Sequence, residues 1–192
     1  MSVKGSHMSD SFLPGFPPII ALKGEPIMVA PEFGLALAAI VIEWSRVEIG
    51  FDMDLNSLRQ FPGIAELSPE MPRSFNKKVK LWRRSVKTIA PAIEAYQAYA
   101  DHIRDSALKL ALIRNLLVHG LWRIDGPEPD GKWPVQSQKQ TADGFQLIKA
   151  APNAADLEET LADIMKLAGD INGFHLSRML HQQRGILTVN RG

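Results

Sequence analysis

Apolar residues recur every three or four positions over long stretches of this chain, and that spacing limits what the chain can fold into. Between residues 32 and 54 the repeat runs through Leu37, Ile40, Trp44, Val47 and Phe51. Such spacing keeps one face of a helix turned toward a core. We therefore predict a long amphipathic helix over this stretch.

Three further stretches carry the same pattern and predict three more helices. The first of these covers residues 74–89. The next has Pro91 in its first turn and Thr88 as its N-cap, and it ends near Gly120 in a left-handed conformation. The last begins after Pro152 with Asn153 as its N-cap. The apolar faces are Phe75, Val79, Trp82, Val86 and Ile89, then Ile93, Tyr96, Ala100, Ile103, Ala107 and Leu110, then Leu157, Leu161, Ile164, Ala168 and Ile171.

The pattern changes between the last two helices. Short segments at 122–124, 133–136 and 145–148 alternate with Asp-Gly pairs at 125–126, 130–131 and 143–144. Asp-Gly is a common hairpin turn, so these segments predict a small antiparallel meander at about residues 121–149. The sequence thus predicts an all-α bundle of four to five helices, with the meander inserted before the last helix.

The chain has 192 residues, which favours a single compact domain. Residues 1–7 read as the remnant of an expression tag and carry no functional weight. Residues 8–31 hold five of the thirteen prolines, and because proline blocks helical hydrogen bonds we predict an extended arm there. Residues 32–192 form the predicted helical domain.

Composition excludes several classes of function. The chain has no cysteine, which removes disulfides, thiolate zinc sites and thiol nucleophiles and fits a cytoplasmic location. No apolar run approaches the roughly 20 residues of a membrane-spanning helix. Outside the tag remnant, 21 basic residues balance 21 acidic ones, so the total charge favours neither membranes nor nucleic acid.

Metal and cofactor sites also lack a signal. His175 and His181 are six residues apart, and His102 shares its helix only with Asp101 and Asp105, so neither pattern has the i, i+4 spacing of a helical zinc site. The glycines are scattered at turns, without a phosphate-binding loop or a nucleophile elbow. We expect no metal and no cofactor.

One polar group interrupts the apolar end of the third long helix. The string from Ile113 to Gly120 contains Arg114, Asn115 and His119. Asn115 and His119 are four residues apart and share a helical face, while Arg114 and His119 lie roughly 140° apart around the axis. One interpretation is structural, with Arg114 paired to a buried carboxylate and His119 capping the helix end.

The string R-N-x-x-x-H resembles the signature of the HEPN family (higher eukaryotes and prokaryotes nucleotide-binding). Three further groups of residues are similar to bacterial HEPN-like proteins. They are Trp44 with Glu48, the run Phe75-Asn76-Lys77-Lys78, and His119-Gly120-Leu121-Trp122. The similarity covers roughly residues 32–122, and it leaves the proline arm and the meander outside the shared core. It implies a HEPN-like helical bundle.

The resemblance implies a metal-independent ribonuclease in which two protomers bring both motifs to one cleft. His119 would act as general base or acid, and Arg114 would bind the phosphate. Asn115 would orient His119 or the scissile phosphate. We hypothesise a homodimer that cleaves RNA to 2',3'-cyclic phosphates, as a toxin or stress-response nuclease restrained by an antitoxin or regulatory protein. The alternatives are a dimeric HEPN-like binding or regulatory module without catalysis, and a purely structural helical protein.

Two further sets of residues are candidates for supporting roles. Between Met71 and Lys87 lie seven basic residues and no acidic one, and Lys78 and Arg83 belong to this group. Glu48 lies on the core side, where a carboxylate needs a partner such as Arg114; we expect a structural pair. The predicted RNA contacts are Lys77, Lys80, Arg84 and Lys87, with an ordinary solvated face as the alternative.

Overall fold

The computed structural model describes residues 30–91, 93–123, 127–141 and 144–184. The tag remnant and nearly all of the proline arm therefore lie outside the described residues. In the described ranges the chain forms a bundle of helices with a three-stranded antiparallel sheet before the last helix, as predicted. The elements are α1 (Pro31–Leu58), α2 (Ile64–Leu67), α3 (Phe75–Ile89), α4 (Glu94–His119), β1 (Leu121–Trp122), β2 (Val135–Thr141), β3 (Gly144–Ala150) and α5 (Ala154–Gln183).

The first and last helices, α1 and α5, form the longest helix pair of the bundle. Gly50 of α1 faces Ile171 of α5, and one turn later Asp54 meets His175 and Arg178. Because residue numbers increase in the same direction along both helices in these contacts, α1 and α5 run parallel. The absence of a side chain at Gly50 lets Ile171 come close, since an added Cβ would lie 3.0 Å from Ile171 Cγ2.

Helices α3 and α4 cover the inner side of this pair. Lys78 and Trp82 of α3 bond Asp52 and Asp54 of α1 in order, so α3 runs parallel to α1. Arg83 of α3 reaches back to Asp101 of α4 across an antiparallel contact. The predicted apolar faces point into the shared core. Its centre is aromatic: the ring of Trp82 packs edge-on against those of Phe51 and Phe174, at centroid distances of 5.3 and 5.2 Å.

The sheet has the order β1-β2-β3, with both neighbouring pairs antiparallel. Thr141 pairs with Gly144, which closes the β2–β3 hairpin at the predicted Asp-Gly position. Gly144 has φ +122° and Gly131 has φ +78°, conformations that suit glycine because it lacks a Cβ. The predicted turn at 125–126 lies outside the described residues. Strands β2 and β3 extend beyond the predicted segments because their pairing continues to the hairpin turn.

The predicted start of α4 is wrong. Thr88 does not cap α4, because α3 continues to Ile89 and the Thr88 hydroxyl donates back to the Arg84 carbonyl. Pro91 lies in the turn that follows, and α4 starts only at Glu94. The predicted cap of α5 is correct: Asn153 and Asp156 form a reciprocal capping box.

The predicted left-handed conformation of Gly120 is also wrong, since the residue is extended with φ −71° and ψ 158°. Glycine is needed there for a different reason. A Cβ would collide with the backbone carbonyl oxygen of Leu116 and would lie 2.5 Å from Cγ2 of Val135, so the end of α4 and the sheet together leave no space for a side chain. Gly120 thus lets β1 start directly at the helix end.

Candidate functional site

Arg114, Asn115 and His119 come together on the surface at the end of α4. The Nη1 atom of Arg114 donates to Asn115 Oδ1 at 3.1 Å and lies 3.2 Å from His119 Nε2. A guanidinium can only donate hydrogen bonds, so Nε2 is the acceptor in this contact. The long arginine side chain spans the angle that separates residues 114 and 119 around the helix.

The contacts of Arg114 differ from the structural interpretation of the sequence. Its hydrogen-bond partners within the described residues are an amide and an imidazole, and no carboxylate pairs with it there. Its Nε atom is buried and has no partner in those residues. Asn115 accepts a hydrogen bond from Arg114 and forms none with His119 in the described residues. The other role predicted for Asn115, orienting the scissile phosphate, stays a prediction.

The backbone that carries His119 is fixed by the end of α4. The Gly120 N–H donates to the Leu116 carbonyl at 2.9 Å, and the Trp122 indole N–H donates to the Leu117 carbonyl at 3.0 Å. These bonds occupy two of the carbonyls that a helix end leaves free. His119 therefore projects from a helix terminus that the sheet holds in place.

Glu48 lies near the motif. It has a structural partner, as predicted, but this partner is Trp44 and not Arg114. Its carboxylate accepts the indole N–H of Trp44 at 2.9 Å, one turn earlier on α1. Glu48 and Asn115 line the same cavity of about 170 Å³, together with Asn76 at the start of α3. The structure thus brings Glu48 to the edge of the site, with its hydrogen bond directed within its own helix.

The basic face of α3 divides into two groups. Lys78 and Arg83 are tied to neighbouring helices: Lys78 lies 2.7 Å from Asp52, and Arg83 donates to both oxygens of Asp101 at 2.7 Å. The remaining four are exposed and form no ion pair with any described residue. These four are Lys77, Lys80, Arg84 and Lys87.

The four exposed cations follow a line that starts beside the motif. Asn76 shares its cavity with Asn115, and Lys77 is the next residue along α3. Ten residues separate Lys77 from Lys87, which corresponds to about 15 Å along a helix axis. The row of cations therefore leads away from the motif across the surface of α3.

A buried polar cluster between α1, α3 and α5 was not predicted from the sequence. Asp54 accepts hydrogen bonds from Trp82 at 2.7 Å, from His175 at 2.6 Å and from Arg178 at 2.6 and 3.0 Å. Asp54 and Arg178 are fully buried. Nearby, burial raises the pKa of Tyr96 above its ordinary value. A signal was present, because Asp54 continues the apolar repeat of α1, where a carboxylate needs a buried partner.

The described residues form neither a metal-ligand cluster nor a membrane-spanning helix. No three histidine or acidic side chains there converge as a metal site would require. None of the helices in those ranges combines the length and apolar character needed to cross a bilayer.

Comparison with known proteins gives no relative from which a function could be transferred. No protein-family profile matches the chain, and neither a curated protein nor a solved structure matches it significantly. The site must therefore be interpreted from its own geometry.

Proposed function

We propose that this protein is a metal-independent endoribonuclease of the HEPN type that acts as a homodimer. The observation that carries the proposal is the contact of Arg114 with both Asn115 and His119 at the exposed end of α4. The arrangement combines a proton-transfer group and a cation within one hydrogen bond of each other. Those two groups are what RNA cleavage without a metal requires.

In the proposed reaction, the 2'-hydroxyl of RNA attacks the adjacent phosphorus. A neutral His119 accepts the hydroxyl proton through Nε2 as the O2'–P bond forms. The P–O5' bond breaks, and a protonated His119 from the second copy gives its proton to the leaving 5'-oxygen. Arg114 turns from His119 to the phosphate and stabilises the charge that develops on its oxygens. The products are a 2',3'-cyclic phosphate and a free 5'-hydroxyl.

The need for both an acid and a base explains the proposed dimer. One histidine cannot hold a proton for the leaving group and accept one from the nucleophile in the same step. Leu112 is 46% exposed on the α4 face that carries Asn115 and His119, three and seven residues further on. We place this face at the dimer contact, where two copies of the motif would meet around one phosphate.

The test of catalysis is a cleavage assay on single-stranded RNA in the presence of EDTA. Wild-type protein should release fragments with cyclic phosphate ends. His119→Ala and Arg114→Ala should each slow cleavage about 100-fold or more, as expected for loss of an acid–base group or of a charge-stabilising group. His102→Ala is the matched control, because His102 lies in a separate cavity between α4 and α5. Loss of cleavage with EDTA, or full activity of His119→Ala, would contradict the proposal.

A second candidate is a non-catalytic binding or regulatory module, favoured by a different surface. Leu35, Ile42 and Ile49 of α1 repeat every seven residues and are 57–71% exposed, on the side facing away from the core. Leu176 of α5 is 62% exposed, and contact between Ser57 and Met179 joins the two helices along that edge. An apolar face of this kind is typical of a protein-binding surface, such as one for an antitoxin or regulatory protein.

Two charge substitutions separate these candidates. Leu112→Glu should dissociate the dimer and abolish cleavage if the motif face is the dimer contact. Ile49→Glu should leave both unchanged. The binding module is favoured if light scattering shows that Ile49→Glu dissociates the dimer and Leu112→Glu does not. It also requires that the folded wild-type dimer does not cleave RNA.

A further inference from the structure

The outer face of the small sheet is rich in groups that could contact a ligand. Side chains alternate between the two faces of a strand, and Val135, at 2% exposure, marks the face that packs on the helices. The opposite face therefore carries every second residue of β2 and β3. In register, these pairs are Gln136 with Lys149, Gln138 with Leu147, and Gln140 with Phe145.

This face is concave where the three strands meet. A cavity of about 490 Å³ lies there, within the range of ligand-binding clefts. Its outward-facing residues form two rows across the strands, and none of the described residues that line it is acidic. The rows are Leu121, Gln136 and Lys149, then Arg123, Pro134 and Ala151.

The cavity lies next to the motif. Leu121, at one end of the cavity, is two residues from His119, so their Cα atoms are separated by roughly 7 Å at most. Gly120 between them is extended, so β1 begins directly at the end of α4 that carries His119. A ligand that fills the cavity at Leu121 would therefore lie close to the site at the end of α4.

The chemistry of this face fits single-stranded RNA. Phe145 is 74% exposed, and a base can stack on an exposed aromatic ring. The three glutamines supply amide donors and acceptors for base edges, which single-stranded RNA presents to proteins. Lys149 supplies positive charge for a phosphate, whereas the charge of Arg123 is balanced by Glu128 at 3.9 Å. The cations of α3, by contrast, have no exposed aromatic residue among them.

We propose that the outer face of the sheet binds the segment of single-stranded RNA next to the scissile phosphate. Bases would stack on Phe145 and rest on the apolar floor, with a phosphate held by Lys149. This inference rests on the proposed function, since it takes RNA as the substrate of the adjacent motif. It gives the inserted sheet a role in substrate binding.

The test measures binding of a fluorescein-labelled 12-nucleotide single-stranded RNA by anisotropy. Binding is measured in the His119→Ala background, so that cleavage does not interfere. Phe145→Ala should raise the Kd about five-fold or more, as expected for loss of one stacking platform. Lys149→Gln should weaken binding and reduce the slope of log Kd against log salt concentration by about 0.7, the value for one phosphate contact on a single strand.

Gln146→Ala is the matched control, because Gln146 is exposed on the opposite face of β3. It should change the Kd less than two-fold. All three side chains are exposed, so circular dichroism melting curves should coincide and exclude misfolding as the cause of any change.

The outcomes separate this inference from the proposed function. If the wild type cleaves RNA but Phe145→Ala and Lys149→Gln bind RNA as tightly as their parent protein, RNA binding by the sheet is refuted and the proposed nuclease function is retained. Weakened binding in both variants without any cleavage by the wild type would support the surface and refute the nuclease. Absence of both RNA binding and cleavage would overturn both proposals and leave a protein partner as the occupant of this face.

Discussion

Replacing Asp54 by asparagine should destabilise the fold more than any surface substitution. Asp54 and Arg178 are fully buried, and the carboxylate accepts two bonds from the guanidinium and one each from Trp82 and His175. Asparagine keeps the shape but leaves the Arg178 charge buried without an opposite charge. Breaking a buried pair in this way costs about 3–5 kcal/mol.

The cost should be measured by urea unfolding. With a denaturant dependence of roughly 2 kcal/mol per molar, the midpoint should fall by about 2 M. Asp52→Asn is the matched control, because its pair with Lys78 is partly exposed, and it should cost less than about 1 kcal/mol. The double variant Asp54→Leu/Arg178→Met should recover much of the loss, since it removes both charges. A loss below about 1 kcal/mol for Asp54→Asn would refute the reasoning.

Three further predictions concern stability and titration. Gly120→Ala should cost about 1–3 kcal/mol in urea unfolding, because its Cβ would collide with the Leu116 carbonyl oxygen and with Val135; a neutral substitution would show that the helix end and the sheet can both shift. Asn153→Ala should cost about 1 kcal/mol through loss of the capping box, and an unchanged midpoint would argue against that cap. The Arg83 hydrogen bond holds the pKa of Asp101 below its ordinary value of 3.8, so the stability it contributes is present above that value and is lost as pH falls through the lowered pKa. An NMR titration should show the low midpoint, and Arg83→Gln should return it toward 3.8.

The sequence predicted the helices well because their buried faces are long and regular. Trp44 and Phe51 of α1, and Trp82 of α3, occupy core positions that the three-to-four spacing marked. The single turn of α2 was not predicted, since four residues are too few to show a period. The start of α4 was misplaced because proline suits both the first turn of a helix and the turn that precedes a helix, and Pro91 occupies the second position.

The sequence predicted only those relations in the candidate site that lie within α4. The shared face of Asn115 and His119 follows from their spacing. The partner of Glu48 did not follow from the sequence, because Trp44 and Arg114 were both within reach of a carboxylate at that position. The cluster around Asp54 joins residues 124 positions apart, and spacing along the chain carries no information about such contacts.

That separation also sets the order of events during synthesis. The core-facing side of α1 is completed only when α5 lies beside it, and α5 is made after the other described helices. At about 5–20 residues per second, the ribosome adds Arg178 roughly 6–25 s after Asp54. Throughout this interval Asp54 lacks its charged partner, and the apolar residues of α1 that pack on α5 stay uncovered. The native core of the bundle therefore forms only once α5 has been made.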